Sequence, residues 1–246
     1  MIRIDDDGPV RTITLDRPDK RNALTPAMLT ELADAADALP SCDAGAVLVR
    51  GEGKSFCAGF DLDACRGEDG QAVMRTFLRE LSRAVVGLRA APMPVVLCAH
   101  GAAVAGGAAL LGGADVVVAD RGAKIGYPVV RLGISPAVSA PFLRRGAGDG
   151  ACRARLLDPG LIDGVRAHAI GLVHELAHDR DAAQRRAREI ADGLAAKPRE
   201  AVRRTKAWLD EIESMGDEAR AGLAASVELT EGDEAAALLE RFWAGR

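Results

Sequence analysis

Two glycine-containing turns hold the residues of this 246-residue chain best suited to chemistry: Ser55-Phe-Cys-Ala-Gly-Phe-Asp-Leu62 and His100-Gly-Ala-Ala-Val-Ala-Gly-Gly-Ala-Ala-Leu110. Each follows a short apolar run that reads as a strand, Val47-Leu-Val49 and Val95-Val-Leu-Cys98, and strand ends are where α/β folds build their sites. Gly106 and Gly107 stand at a predicted helix start. There the first backbone N–H groups lack intrahelical partners, and the positive end of the helix dipole lies behind them. A turn in the first segment offers one more N–H, at Phe60. Two converging donors of this kind suit the oxygen of a thioester enolate. Glycines at strand-to-helix turns also serve close packing, so the pattern alone leaves both readings open.

Near these turns, the side chains able to move a proton or attack a carbonyl are Asp61, Asp63, Cys65, His100, Tyr127, Ser135 and Ser139. None has a partner at a spacing that marks an acid–base or nucleophilic pair. His174-Glu-Leu-Ala-His178 matches the zinc-binding HExxH pattern, which needs a helix to bring both imidazoles onto one face. It follows Gly171-Leu-Val173, which reads as a strand, and no third ligand accompanies it, so no metal is expected. Gly53-Lys-Ser55 looks like the end of a phosphate-binding loop, but the glycine required five positions earlier is Leu48. Nucleoside triphosphate binding is therefore not expected.

The elements that must position these turns follow from periodicity. Residues 2–4 and 9–15 alternate apolar and polar around Gly8-Pro9 and predict a hairpin. Thr25-Pro26 supplies an N-cap and a first-turn proline. The apolar face of the helix behind them runs through Met28, Leu29, Leu32, Ala35, Ala36 and Leu39 before Pro40. Ala46-Val-Leu-Val49 is short and apolar, as a buried parallel strand is. The pattern repeats as a helix over about 71–89, a strand at 95–98, a glycine- and alanine-rich helix from about 106 and a strand at 116–119. Beyond residue 135 the chain is mostly helical, with Leu172-Val173 as one more short strand and amphipathic runs near 181–195, 198–213, 216–229 and 233–243. The expected fold is α/β, with a core over 1–190 and a C-terminal helical region over 191–246. Phe242 and Trp243 are apolar where chain ends are usually polar, so they either pack on the chain's own core or dock on another subunit.

Hydrophobic residues make up 48% and aromatics only 3%, so the core must be built from Ala, Val, Leu and Ile, as closely packed helix-on-sheet layers are. The 32 basic and 36 acidic residues are interspersed, which argues against a polybasic surface for nucleic acid or an anionic membrane. No apolar window reaches the roughly 18 to 20 residues of a membrane span, and MIRIDDDGPV has no basic segment leading into an apolar one. Cys42, Cys57, Cys65, Cys98 and Cys152 are odd in number and scattered, which fits reduced thiols and a cytoplasmic protein.

Phe56-Cys-Ala-Gly-Phe-Asp-Leu62, His100-Gly-Ala-Ala-Val-Ala-Gly-Gly107, Asp115-Val-Val-Val-Ala119, Leu132-Gly-Ile-Ser-Pro136 and Gly171-Leu-Val173 share an order and spacing with one known superfamily. Through them, over nearly its whole length, the chain resembles the enoyl-CoA hydratase/isomerase (crotonase) superfamily. Leu15-Asp-Arg-Pro-Asp-Lys-Arg-Asn-Ala-Leu24 is similar to its N-terminal signature. The resemblance implies a ββα spiral core, a helical C-terminal trimerisation region and a homotrimer or homohexamer. It implies an acyl-CoA thioester whose carbonyl oxygen sits between the N–H groups of Phe60 and Gly106, with no separate cofactor. Lys20, Arg21 and Ala23 would meet the CoA moiety, and Ala58, Asp61, Leu62 and Tyr127 would complete the substrate site. By residue type alone, Lys20 and Arg21 read more readily as a solvated loop. Asp61 and Asp115 would brace turns, and His100 stands where the family usually has asparagine.

Departures from the family pattern matter as much. Its hydratases hold and activate water with two glutamates, whose positions here are Ala109 and Val129. A methyl and an isopropyl group can do neither, and such proton transfer is typically worth about 10²- to 10⁴-fold. What remains implied is isomerisation, decarboxylation or hydrolysis of a thioester, or binding without turnover. Ala105 replaces the first glycine of the family's usual triplet, a change the oxyanion hole is expected to survive.

Overall fold

The computed structural model describes residues 1–230 and 232–245. In chain order the strands and helices are β1 (Ile2–Asp7), β2 (Val10–Leu15), α1 (Pro26–Asp37), β3 (Ala46–Gly51), α2 (Gly70–Arg89), β4 (Val95–Cys98), β5 (Ala102–Val104), α3 (Gly106–Ala109), β6 (Val116–Asp120), β7 (Lys124–Gly126), α4 (Ala140–Ala147), α5 (Asp149–Leu157), β8 (Ile162–Asp163), α6 (Gly164–Ala169), β9 (Glu175–Ala177), α7 (Arg180–Ala195), α8 (Arg199–Glu213), α9 (Gly216–Leu229) and α10 (Asp233–Ala244). Short 3₁₀ turns lie between them, including Pro128–Leu132.

Strands β1, β2, β3, β4, β6 and β9 form one sheet in that order; β1 pairs antiparallel with β2, and every other pair is parallel. A second sheet runs β5-β7-β8. The chain therefore repeats one motion: a strand in the large sheet, a step across to the small one, then helix. It does so through β4, β5 and α3 and again through β6 and β7. The first round, from β3 to α2, is reduced to a single bridge between Cys57 and Ala103. This is the expected ββα spiral.

Alternation along the buried strands explains the two cores. Val47, Val49, Val95, Leu97 and Val117 face the main core with α1 and α2. Leu48, Val96, Cys98 and Val118 face the other side, where α7 presents Ala183, Ala187, Ala191 and Ala195. Those alanines recur every four residues, so one narrow stripe lets the helix lie close on the sheet. Helix α7 runs through the 190/191 boundary expected from sequence. Helix α1 begins as predicted: Met28 N–H donates to Thr25 Oγ1 at 3.2 Å, and Pro26 occupies the first turn.

One expectation is corrected. Leu172-Val173 is not a strand: both residues are buried in a turn after Gly171, with their N–H groups on the Ala167 carbonyl, and the ladder is formed by Glu175–Ala177 instead. The alanine- and glycine-rich helix after residue 106 is one turn long. It tightens to 3₁₀ at Leu110–Gly113, where a Cβ on Gly112 or Gly113 would stand 2.5 Å from Phe142 Cβ or 2.9 Å from Leu88 Cβ. Packing through glycine there replaces further helix.

Candidate active site

The loop before α1, the turn after β3 and the turn after β5 are stitched into one wall. Leu24 N–H donates to Gly59 O at 2.8 Å, Asp61 N–H to Leu24 O at 2.7 Å, and Ala58 N–H to Arg21 O at 3.0 Å. Arg17 donates to Asp61 Oδ2 at 2.7 Å and to Ala23 O at 3.0 Å, so Asp61 braces the loop. Asn22 is the residue that sequence reasoning missed. Fully buried at φ +54°, its side chain accepts from Arg17 N–H and donates to the carbonyls of Glu52 and Ser55 at 2.9 and 2.8 Å. Asparagine tolerates left-handed backbone and can satisfy three neighbours at once, which makes it the keystone of this loop.

Phe60 and Gly106 come together as expected. A Cβ on Gly106 would stand 2.7 Å from Phe60 Cε1, and one on Gly59 would stand 3.8 Å from Gly106 N. Neither the Phe60 nor the Gly106 N–H donates to a backbone carbonyl among the described residues. The Phe60 ring stacks on Phe77 at 4.5 Å, which fixes the turn. Ala105 precedes Gly106 with φ 53° and ψ −114°, a backbone that L side chains rarely adopt; its N–H donates to Gly126 O at 2.8 Å.

A cavity of about 600 Å³ opens beside this pair. Lys20, Arg21, Ala23, Ala58, Phe60, Asp61, Leu62 and Val129 all line it. Sequence reasoning did not foresee Val104, Arg131, Leu132 and Ile134 on its wall, or Phe242 from α10. Phe242 thus serves its own chain's cavity, and Trp243 packs on the same core under the Arg66 guanidinium, 5.4 Å from the ring.

Ala109 and Tyr127 lie elsewhere. Both line a second, more polar cavity of about 190 Å³ with Ser139 and His174. Tyr127, expected at the acyl chain, is absent from the large cavity's wall; its hydroxyl donates to Ala108 O at 3.2 Å, and burial raises its pKa. The positions of the family's two glutamates therefore face different cavities.

Other candidates for acid–base or nucleophilic work are spoken for. Burial pushes the Cys57 thiol up to about 12 and, with Asp61 nearby, the Cys65 thiol to about 11, so neither is a thiolate nucleophile near neutrality. All five cysteines are free and buried. His100 is fully buried, which lowers its pKa; its Nε2–H donates to Gly53 O at 3.2 Å and its Nδ1 faces the Cys98 thiol at 3.8 Å. It does not line the large cavity. Ser135 lines neither cavity, and Asp63 pairs with Arg66 at 3.1 Å. Asp115 accepts from Val95 N–H and from Lys206 Nζ, each at 2.7 Å, the bracing role expected of it.

The HExxH match dissolves. His174 and His178 flank the strand β9, Val117 N–H donates to His174 Nδ1 at 2.9 Å, and His178 is exposed. No group of three His, Cys, Asp or Glu side chains able to hold a metal occurs among the described residues.

A spiral of ββα units with two amides free of backbone partners beside a cavity defines a class, and comparison with known proteins agrees. The sequence model of the enoyl-CoA hydratase/isomerase family matches residues 6–232, and the chain belongs to that family. A putative enoyl-CoA hydratase of Thermus thermophilus is 34% identical over 213 residues, covering 85% of this chain and 83% of that protein. A 1,2-epoxyphenylacetyl-CoA isomerase of Escherichia coli is 32% identical over 199 residues, 77% of this chain and 74% of that one. The crystal structure of an enoyl-CoA hydratase/isomerase from Mycobacterium paratuberculosis superposes with a TM-score of 0.89 at 24% identity, over 98% of this chain and 97% of that one. The last comparison speaks for the fold alone.

Proposed function

We propose that this protein binds an acyl-CoA thioester and stabilises its enolate between the Phe60 and Gly106 amides. The observation that carries this reading is the pair of partnerless N–H groups brought side by side at the cavity. CoA phosphates would lie toward Lys20 and Arg21 on the wall braced by Asp61 and Asn22. Val129 and Ala109 supply no group to hold a water, so the reaction is one that needs less of the protein than hydration does. Decarboxylation needs least: the bond to the leaving carboxylate breaks, its electron pair passes onto the thioester carbonyl held in the hole, and solvent returns a proton. Isomerisation and thioester hydrolysis use the same hole.

A second reading, an acyl-CoA binder without turnover, is favoured by the same two positions and by the commitments of His100, Cys57 and Cys65 to burial. One experiment separates them: calorimetric binding of crotonyl-CoA beside loss of its conjugated absorbance and CO₂ release from malonyl-type thioesters. Turnover that vanishes with Gly106→Pro supports the enzyme, binding without turnover on a broad panel supports the binder, and absence of binding removes both.

The assembly this reading carries is a homotrimer or homohexamer in the cytoplasm. Exposed Trp208, Leu209 and Ile212 on α8 offer an apolar surface for it, and light scattering gives the mass directly. No helix among the described residues is long and apolar enough to cross a membrane.

A further inference from the structure

The charged side chains around the large cavity divide by whether they are neutralised. Asp61 is held by Arg17 at 2.7 Å and Asp63 by Arg66 at 3.1 Å. Lys20, Arg21 and Arg131 have no carboxylate within 4.0 Å among the described residues. Asp158 feels the charge of Arg131, but its carboxylate is taken by Arg155 at 2.7 Å and by Gly160 N–H at 2.8 Å. Asp19 is the remaining acid on the cavity wall, and it sits on the loop of Lys20 and Arg21. The cavity therefore has cations in excess.

Lys20 and Arg21 belong to the loop that the acyl-CoA reading assigns to the phosphates. Arg131 does not. It stands on the 3₁₀ turn Pro128–Leu132, whose Val129 and Leu132, with Ile134 beyond it, form an apolar stretch of the wall. Arg131 thus lines the cavity from an apolar stretch of wall that supplies no carboxylate of its own.

We propose that Arg131 binds a carboxylate carried by the acyl group, so that the substrate class is a mono-CoA thioester of a dicarboxylic acid. The proposal rests on the acyl-CoA reading of the cavity. A guanidinium presents two parallel N–H donors that match a carboxylate bidentately, which a lysine at this place would not. Arg131 acts as a specificity residue: its role is to choose and orient the acyl group.

The test compares butyryl-CoA, succinyl-CoA, glutaryl-CoA and free CoA by calorimetry against the full chain, its Arg131→Met variant and its Arg131→Lys variant. Arg131 is exposed, so thermal unfolding of the variants is expected to match the parent. The parent binds one of the dicarboxylyl thioesters about tenfold tighter than butyryl-CoA, the low end for a charge-assisted hydrogen bond. Arg131→Met removes that preference and leaves butyryl-CoA and free CoA within about twofold, whereas Arg131→Lys keeps part of it. Equal affinity of the parent for butyryl-CoA and both dicarboxylyl thioesters overturns the proposal. So does an Arg131→Met variant that loses free CoA as strongly as succinyl-CoA, because the cation then serves the CoA phosphates. If neither free CoA nor any thioester binds the parent, the acyl-CoA reading itself falls, and this proposal with it.

Discussion

Ala105→Gly is expected to stabilise the protein, although replacing alanine by glycine normally does the reverse. At φ 53° and ψ −114° the Ala105 backbone lies where only glycine is comfortable, and it is pinned there by the hydrogen bond from its N–H to Gly126 O. Such a residue stores about 1–3 kcal/mol. Glycine releases that strain and gives back about 0.5–1 kcal/mol through the extra freedom of the unfolded chain. The balance is about 1 kcal/mol in favour of the variant, a rise in Tm of roughly 2–4 °C for a chain of this size. Urea and thermal unfolding of the two proteins, with an unchanged m-value as the check on the denatured state, measure it. A variant less stable by the ordinary alanine-to-glycine penalty would refute the strain, and with it the claim that the hole is built on a forced backbone.

Three further outcomes follow from the site and its supports. Val129→Glu puts a carboxylate on the wall of the large cavity and should raise crotonyl-CoA hydration by about 10²-fold; no gain in the absorbance assay would mean that an acid at this position is not what limits hydration. Burial lowers the pKa of both His100 and His174 from the ordinary 6.5, so the unfolded chain takes up protons first as pH falls, and stability is lost below about pH 6.5. Each histidine contributes a slope of at most about 1.4 kcal/mol per pH unit, and His100→Asn should flatten the urea midpoint plotted against pH. Lys206→Met breaks the pair with Asp115, whose carboxylate also receives Val95 N–H, and should cost about 2–4 kcal/mol by urea unfolding. Asp115→Asn in addition should recover part of the loss.

Periodicity made the helices of the C-terminal region legible to within a residue or two, because apolar residues recur at helical spacing whether that face is buried, as on α7, or exposed, as on α8. The strands of the large sheet were legible as short apolar runs. Leu172-Val173 defeated that logic: a turn buries them as completely as a ladder would, while the true edge strand Glu175–Ala177 is only three residues long and only partly covered. The turns bearing Phe60 and Gly106 were legible as glycine turns after strands, and their pairing as a hole came from the family resemblance. The keystone role of Asn22 was not, because its three partners arrive from distant segments. Nor does sequence reveal that positions 109 and 129 face separate cavities, since a one-turn helix and a 3₁₀ turn leave direction to packing alone.

The stitching of the loop before α1, the turn at 57–61, β5 and β7 has a kinetic consequence. Leu24, Phe60, Ala105 and Gly126 are far apart along the chain, yet each supplies part of the frame that aims the two amides. Contacts of such long range form only after much chain entropy has been surrendered. The frame is therefore among the last things to assemble on refolding, and recovery of ligand binding should lag recovery of helical signal. A fragment ending before Gly126 would have helices and no hole.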